Sequence, residues 1–405
     1  MSKKRCGEDG ILDLIAKYFP NQHPYMPMGR GDDCALIAVP PAPYCTDQGA
    51  NQGANQGNHQ RLDTQAVFAV TSDIFAENAH FRTSYFTASD IGHKALAVNI
   101  SDLASNGSKP CAFSFNLTVT EKQDSAWLEE CFKSMAELAN SYDMVLCGGD
   151  LTKVPLAQTL QKNQDIIDPL TRGGLNIGIT AWGTYEHGGV PLLRHRSYAH
   201  KTKQGCAPRL QAKACMQEGD ILFYIGQIGL ARLGLLFLEE NLNAEGQNRE
   251  KCLAQYPHAA MAHLRPQPLV REGLALSRFA KEHALFVMDI SDGLMRDIPR
   301  LLARQGIVFA DEKAFGADIV LTEAMLHPEI IDYCKKKNLD PCSFAYKGGE
   351  DYGLAGVCEK AAFALLQKYC AEQKIQTPHK LGTVTKGGIS LNSHSIQEAG
   401  FDHFQ

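Results

Sequence analysis

A layered α/β or α+β fold is what this sequence predicts. Three observations carry that reading: short apolar runs of strand length, intervening stretches with helical spacing, and the same alternation in both halves of the chain. Ile11 to Phe19 puts Ile11, Leu12, Leu14, Ile15 and Tyr18 near the spacing of a short amphipathic helix, predicted to pack at the N-terminal end. Residues 46–63 then collapse to Asn, Gln, Gly and Ala. Such a segment has too little apolar surface to offset its ordering entropy and reads as a mobile loop between two strands. Val67 to Val70 reads as a buried strand that stops at Thr71-Ser72-Asp73, and Ile91 to Leu103 as a helix with Leu96, Ile100 and Leu103 on one face, terminated by SNGSKP. From Cys111 to Thr120, Phe113, Phe115, Leu117 and Val119 alternate with Ser114, Asn116, Thr118 and Thr120, the pattern of a strand with one buried and one polar face. Trp127 to Leu138 is predicted helical, and Met144 to Cys147 a buried strand ending in Gly148-Gly149-Asp150.

The second half repeats this grammar. Asp220 to Ile225 is a predicted strand, Leu230 to Glu240 a helix, Leu285 to Met288 a strand running into Asp289-Ile290-Ser291-Asp292-Gly293, and Leu294 to Arg304 a helix. Residues 161–172 and the basic stretch 187–217 read as surface insertions. At 405 residues two domains are expected, 1–190 and 191–405, with the boundary and an insertion at about 191–217.

Composition narrows the function. Apolar residues make up 44% and charged residues 21%, the range of an ordinary globular protein, and a formal net charge of −5 gives no reason to expect nucleic acid as the main ligand. Thirteen cysteines are scattered without the paired spacing of a zinc site or a small disulfide scaffold, which predicts reduced thiols and a cytoplasmic location. The start MSKKRCGEDG leads into no apolar stretch of signal length. The most apolar run, Ile221 to Leu238, is broken by Gln227 and Arg232, so no membrane partner is expected.

The chemistry lies in where the aspartates fall. Asp73, Asp150, and Asp289 with Asp292 follow apolar strands, Asp32-Asp33 follows a Gly-Arg-Gly turn, and Asp102 ends a helix. Asp is favoured at turns and helix starts for local hydrogen bonding, so each one alone has a bland explanation. Together they point elsewhere. Strand ends gather ligand sites in layered folds, and carboxylates sharing one cleft repel unless cations neutralise them. Oxygen donors without a His/Cys cluster favour Mg²⁺, which completes its shell with water and phosphate oxygens, and that combination suits phosphoryl transfer. Gly29 and Gly31, Gly148-Gly149 and Gly348-Gly349 allow close backbone approach to a ligand. No GxxxxGK[ST] occurs, and the combined Gly-rich-loop, HRD and DFG set of protein kinases is missing.

GDDCAL (31–36), TSD (71–73), HF (80–81), KALAVNISDLASNG (94–107), GGD (148–150), MDISDGL (288–294), GGEDY (348–352) and FDHF (401–404) occur here in one order. In that order they resemble the thiamine-monophosphate kinases, of the superfamily that includes aminoimidazole ribonucleotide synthetase. The resemblance implies the two-domain aminoimidazole ribonucleotide synthetase-like fold, whose N-terminal sheet pairs with its twin across a homodimer to make a β-barrel. It implies ATP-dependent conversion of thiamine monophosphate to thiamine diphosphate. Carried over by motif, Asp32, Asp33, Ser72, Asp73, Asp102, Asp150, Asp289 and Asp292 would hold several magnesium ions, with Asp73, Asp102, Asp150 and Asp292 carrying catalysis. Gly149, Asp150 and Ser291 would meet ATP, and the family's arginine for ATP would be Arg194 or Arg196, with Arg196 preferred. His80 and Glu350 would hold thiamine monophosphate and Phe401 would lie against its rings, where a π face attracts a cationic thiazolium by roughly 0.5 to 2 kcal/mol.

An acceptor phosphate is already anionic near neutral pH, so direct in-line attack on the γ-phosphate needs no protein base. Other readings share the acidic motifs: an aminoimidazole ribonucleotide or selenophosphate synthetase, a phosphoester hydrolase, or a non-catalytic nucleotide- or cation-binding protein. A selenophosphate synthetase expects a reactive Cys or selenocysteine near a Gly-rich N-terminus, which Cys6-Gly7 matches poorly.

Overall fold

Two β-sheets organise the chain, with one helix between them that positions the site. The computed structural model describes residues 32–38, 67–153, 174–185, 189–192, 216–240, 248–303 and 315–396. The predicted helix at 11–19, the loop at 46–63, nearly all of the 161–172 and 187–217 segments, Arg194, Arg196 and Phe401 lie outside them.

The first sheet contains β1 (Ala35–Ala38), β2 (Val67–Ala76), β3 (Lys109–Val119), β4 (Val145–Lys153) and β5 (Asn176–Thr184) in the order β1-β2-β5-β3-β4. Pairing is antiparallel except between β3 and β4. The strand read at 67–70 continues through Thr71-Ser72-Asp73 to Ala76. Ser72 and Asp73 are weak strand formers alone, but β5 pairs with β2 from Phe68 to Ala76, and the ladder overrides local propensity. The strand read at 144–147 likewise runs on to Lys153. It is not buried: every position of β4 is exposed, because β4 is an edge strand.

Helix α1 (Ala88–Ser105) begins with a capping box, Thr87 accepting from the Asp90 N–H while the Asp90 carboxylate accepts from the Thr87 N–H at 3.1 Å. It is buried on nearly every side, since it packs on α2 (Ser125–Ser141), β2, β3 and β5 and also on elements of the second half.

The second half supplies β6 (Ile221–Ile225), α3 (Leu230–Glu240), α4 (Asn248–Gln255), α5 (Pro257–Leu264), α6 (Val270–Phe279), β7 (Leu285–Asp289), α7 (Leu294–Leu302) and β8 (Gly316–Ile319). It ends with α8 (Pro328–Lys337), α9 (Pro341–Tyr346), β9 (Leu354–Cys358), α10 (Lys360–Glu372), β10 (His379–Thr385), β11 (Ile389–Leu391) and β12 (His394–Ser395). Its sheet runs β12-β11-β8-β10-β6-β9-β7. β6, β7 and β9 are buried at every residue, as their unbroken apolar runs require. α1 packs on β7 and on α6, so the first core continues into Leu238, Ala260, Leu264 and Val270 of the second half.

Candidate active site

Four of the predicted carboxylates converge where the last turns of α1 meet β1, β2 and β7. Asp33, just before β1, accepts a hydrogen bond from the Ser105 hydroxyl at 2.6 Å and from the Asp289 N–H at 3.3 Å. Asp289, at the end of β7, accepts from Ser101 at 2.6 Å, and Asp102 accepts from the Thr71 hydroxyl. The 3.6-residue period of α1 puts Ser101, Asp102 and Ser105 within one turn, so the helix supplies one carboxylate and two hydroxyls that steady others.

Burial and mutual repulsion set the electrostatics. Desolvation pushes Asp73 up to about 6, helped by the charge of Asp33. Asp102 is raised well above the usual carboxylate range by burial and by Asp73, Asp289 and Asp33, against the Thr71 hydrogen bond that lowers it. Asp289 is raised by burial and Asp33, against the Ser101 hydrogen bond. Cys34 reports the same field: burial first, then Asp102, Asp33, Asp32 and Asp289, drive its thiol far up and leave it unreactive. Asp32 adjoins the group, its Oδ1 accepting from the Asp33 N–H at 2.9 Å.

Asp73 and Asp102 also line a cleft of about 750 Å³ whose wall includes His80, Ser291, Asp292 and Glu350. Six predicted residues from distant parts of the sequence therefore face one cavity. The Ser291 carbonyl accepts from the Glu350 N–H at 2.6 Å, and His80 Nδ1 accepts from the Ala76 N–H at 3.1 Å. Asp292 is paired with Arg300 at 2.6 Å and Arg296 at 3.6 Å. Glu350 has a left-handed backbone at φ 63°, as does Tyr352 at φ 49°; for non-glycine residues this costs on the order of 1–3 kcal/mol each, strain characteristic of ligand-binding turns.

Three predicted residues are not drawn into this group among the described residues. Ser72 alternates to the opposite face of β2 from Asp73, where its hydroxyl donates to the Ile179 carbonyl at 3.1 Å and lies 3.0 Å from Thr180 Oγ1. Gly149 and Asp150 sit on β4, separated from β2 by two intervening strands and hence by roughly 14 Å. The close approach that Gly149 permits is to a neighbouring strand: a Cβ there would lie 1.9 Å from the Phe115 carbonyl oxygen.

A family model described as AIR synthase related protein, N-terminal domain, matches residues 31–174. The Escherichia coli (strain K12) thiamine-monophosphate kinase is 29% identical over 356 residues, covering 86% of this chain and 82% of that protein. Its Bacillus subtilis (strain 168) counterpart is 27% identical over 403 residues, covering 97% and 99%. Over most of its length the chain is similar to the thiamine-monophosphate kinases. A solved structure named AaThiL complexed with AMPPCP and TMP superposes with a TM-score of 0.67 at 22% identity over the whole of both chains, which shows that the fold of this family is shared.

Against that family frame, the residues the sequence reading missed stand out. Lys94, completely buried in α1, lies 3.2 Å from Glu350 Oε1, and its ammonium donates to the His263 carbonyl at 2.8 Å. His263, buried on α5, approaches Glu350 Oε2 at 2.9 Å. Burial alone would push the Glu350 carboxyl up, but Lys94 and His263 together hold it down at about 2. Burial lowers both Lys94 and His263, against the pull of Glu350. A lysine inside the apolar run IGHKALAVNI was the one available signal, because a helix packed on all sides must bury whatever charge it carries. Asp351 anchors the turn that carries Glu350. It accepts from the Gly229 N–H at 2.5 Å and the Ala231 N–H at 3.0 Å, tying the GGEDY turn to the start of α3.

Proposed function

We propose that this chain is a thiamine-phosphate kinase that uses ATP to convert thiamine monophosphate to thiamine diphosphate. The observation that carries the reading is the group of buried Asp289 and half-buried Asp33, Asp73 and Asp102, whose charges raise one another's ionisation, at the edge of a cleft large enough for a small phosphorylated substrate. The curated relatives carry that name over most of their lengths, and the AaThiL structure contains AMPPCP, an ATP analogue, and TMP.

The donor set fits magnesium. Carboxylates that repel one another at close range are stabilised by a hard divalent ion, and the contributing donors are all oxygen. Asp33, Asp73, Asp102 and Asp289 would hold it, with Asp32 beside them and Asp292 at the cleft wall. When bound, magnesium supplies charge neutralisation on the transferring phosphate. The chain's own groups would bind and orient: His80 and Glu350 would hold thiamine monophosphate and Ser291 would meet ATP, all on the wall of one cleft. An acceptor phosphate oxygen forms the new bond to the γ-phosphorus as the bond to the β,γ-bridging oxygen breaks and ADP leaves. The acceptor carries a second pKa of about 6, so no side chain need take its proton. Ser72, Gly149, Asp150, Arg196 and Phe401 remain family-based assignments.

The exposed β4 edge supports the homodimeric barrel. Val145 is 60% exposed, Leu151 64% and Ile74 of β2 68%, apolar surface of the kind that a second sheet would cover. Nine described cysteines without a disulfide support a cytoplasmic setting.

The test is an incubation of purified protein with ATP, magnesium chloride and thiamine monophosphate, separating thiamine diphosphate and ADP by chromatography. Equal amounts of both products are expected. Release of inorganic phosphate independent of thiamine monophosphate would overturn the reading.

A further inference from the structure

Away from the cleft, the start of α5 meets the start of α8. There His258, His327 and Glu329 each offer one ligand atom, and the three atoms lie within 4.8 Å of one another. We propose that these three side chains form a second metal site, specific for a divalent transition metal of the zinc class and separate from the oxygen-rich magnesium group.

The donor chemistry decides the class. Two imidazoles and one carboxylate suit zinc, nickel or copper, whereas magnesium takes oxygen donors and keeps its water. Three protein ligands with an open fourth position form a recurrent zinc arrangement, and the site is open to water because the His258 side chain is 68% exposed. The pieces are also held in place. His258 Nδ1 lies 2.8 Å from Glu329 Oε1, and the two imidazole rings are 4.7 Å apart. Glu329 is steadied by accepting from the backbone N–H groups of His258 at 3.2 Å and Ala259 at 2.9 Å, while His327 Nδ1 accepts from the Glu329 N–H at 3.2 Å. Helix capping explains the carboxylate and the His327 bond. It does not account for the second imidazole, His258, which stands 68% exposed beside the same carboxylate.

Such an ion would staple α5 to α8. It would act on the helix whose far end, five residues on, presents His263 to Glu350. The inference rests on the donor geometry alone and stands whatever the cleft binds.

The experiment is calorimetric titration of the full chain with zinc chloride in excess magnesium chloride, for the native protein, His258→Ala and His327→Gln. Other thiol and imidazole sites contribute equally to all three, so the difference isolates this one. The native protein is expected to take up one more equivalent than either variant, or to bind it more than about ten-fold more tightly. Zinc should raise the native unfolding midpoint by mass action more than it raises that of His258→Ala. A far-ultraviolet circular dichroism spectrum unchanged in His258→Ala verifies that the variant is folded. Identical zinc binding by native protein and His258→Ala would overturn the proposal, as would complete displacement of the difference equivalent by magnesium.

Discussion

Helix α1 carries two charged groups about 12 Å apart along its axis, the buried Lys94 and the half-buried Asp102, and they are compensated in opposite ways. Around Lys94 the fold supplies both signs: Glu350 faces the ammonium and His263, and its carboxyl is held down at about 2. Around Asp102 the fold gathers like charges, and Asp73, Asp102 and Asp289 are all driven up. One group is complete within the protein. The other gathers charge of one sign, and on the proposed reading bound cations would complete it.

Four measurements break or sharpen the contrast. The largest effect is expected from Asp73→Asn, which removes a central carboxylate of the acidic group. Turnover should fall by at least about 100-fold with the fold intact by circular dichroism; activity within a few-fold of native would take that group out of the chemistry. Next is Lys94→Met, which strands Glu350 beside His263. Breaking a buried pair on one side should cost about 3 kcal/mol in urea unfolding, and an unchanged midpoint would show that the two clusters do not differ.

Asp102→Asn should do the reverse. In magnesium-free buffer, relief of repulsion is expected to stabilise the chain by about 1 kcal/mol even as activity is lost. A large destabilisation would mean that the aspartates are internally balanced after all.

The smallest effect is on pH dependence. Asp73 titrates near 6 in the fold against an ordinary 3.8, so its contribution to stability is present below about pH 4 and is lost as pH rises through about 6. Magnesium binds the ionised forms, and its increment to the unfolding midpoint should therefore be larger at about pH 7.5 than at about pH 5. An increment that shrank with rising pH would contradict the assignment.

Much of this was legible in the sequence. The alternation at 111–120 and the helix at 230–240 follow from hydrophobic period, because burial of one face fixes those patterns, and the strand entering Asp289 follows from an unbroken apolar run buried on both faces. Period two along β2 also separates Ser72 from Asp73, a consequence that a motif read as a string conceals. The extension of β2 through Thr71 to Ala76 was not legible, since the stabilising partner, β5, lies a hundred residues away. Nor was the exposure of β4, because Met144 to Cys147 looks the same on an edge as in the middle of a sheet.

The sequence by itself determined which residue types were on offer: aspartates at element ends, glycines at turns, and a chain apolar enough to bury α1. Only tertiary structure decided which of them meet. Lys94 and His263 are 169 positions apart, and Asp33 and Asp289 are 256 apart. Whether a carboxylate finds a cation or another carboxylate depends on such contacts. Local pattern carries no information about them, because charge pairing acts through space over a few ångströms, whereas periodicity acts along the chain.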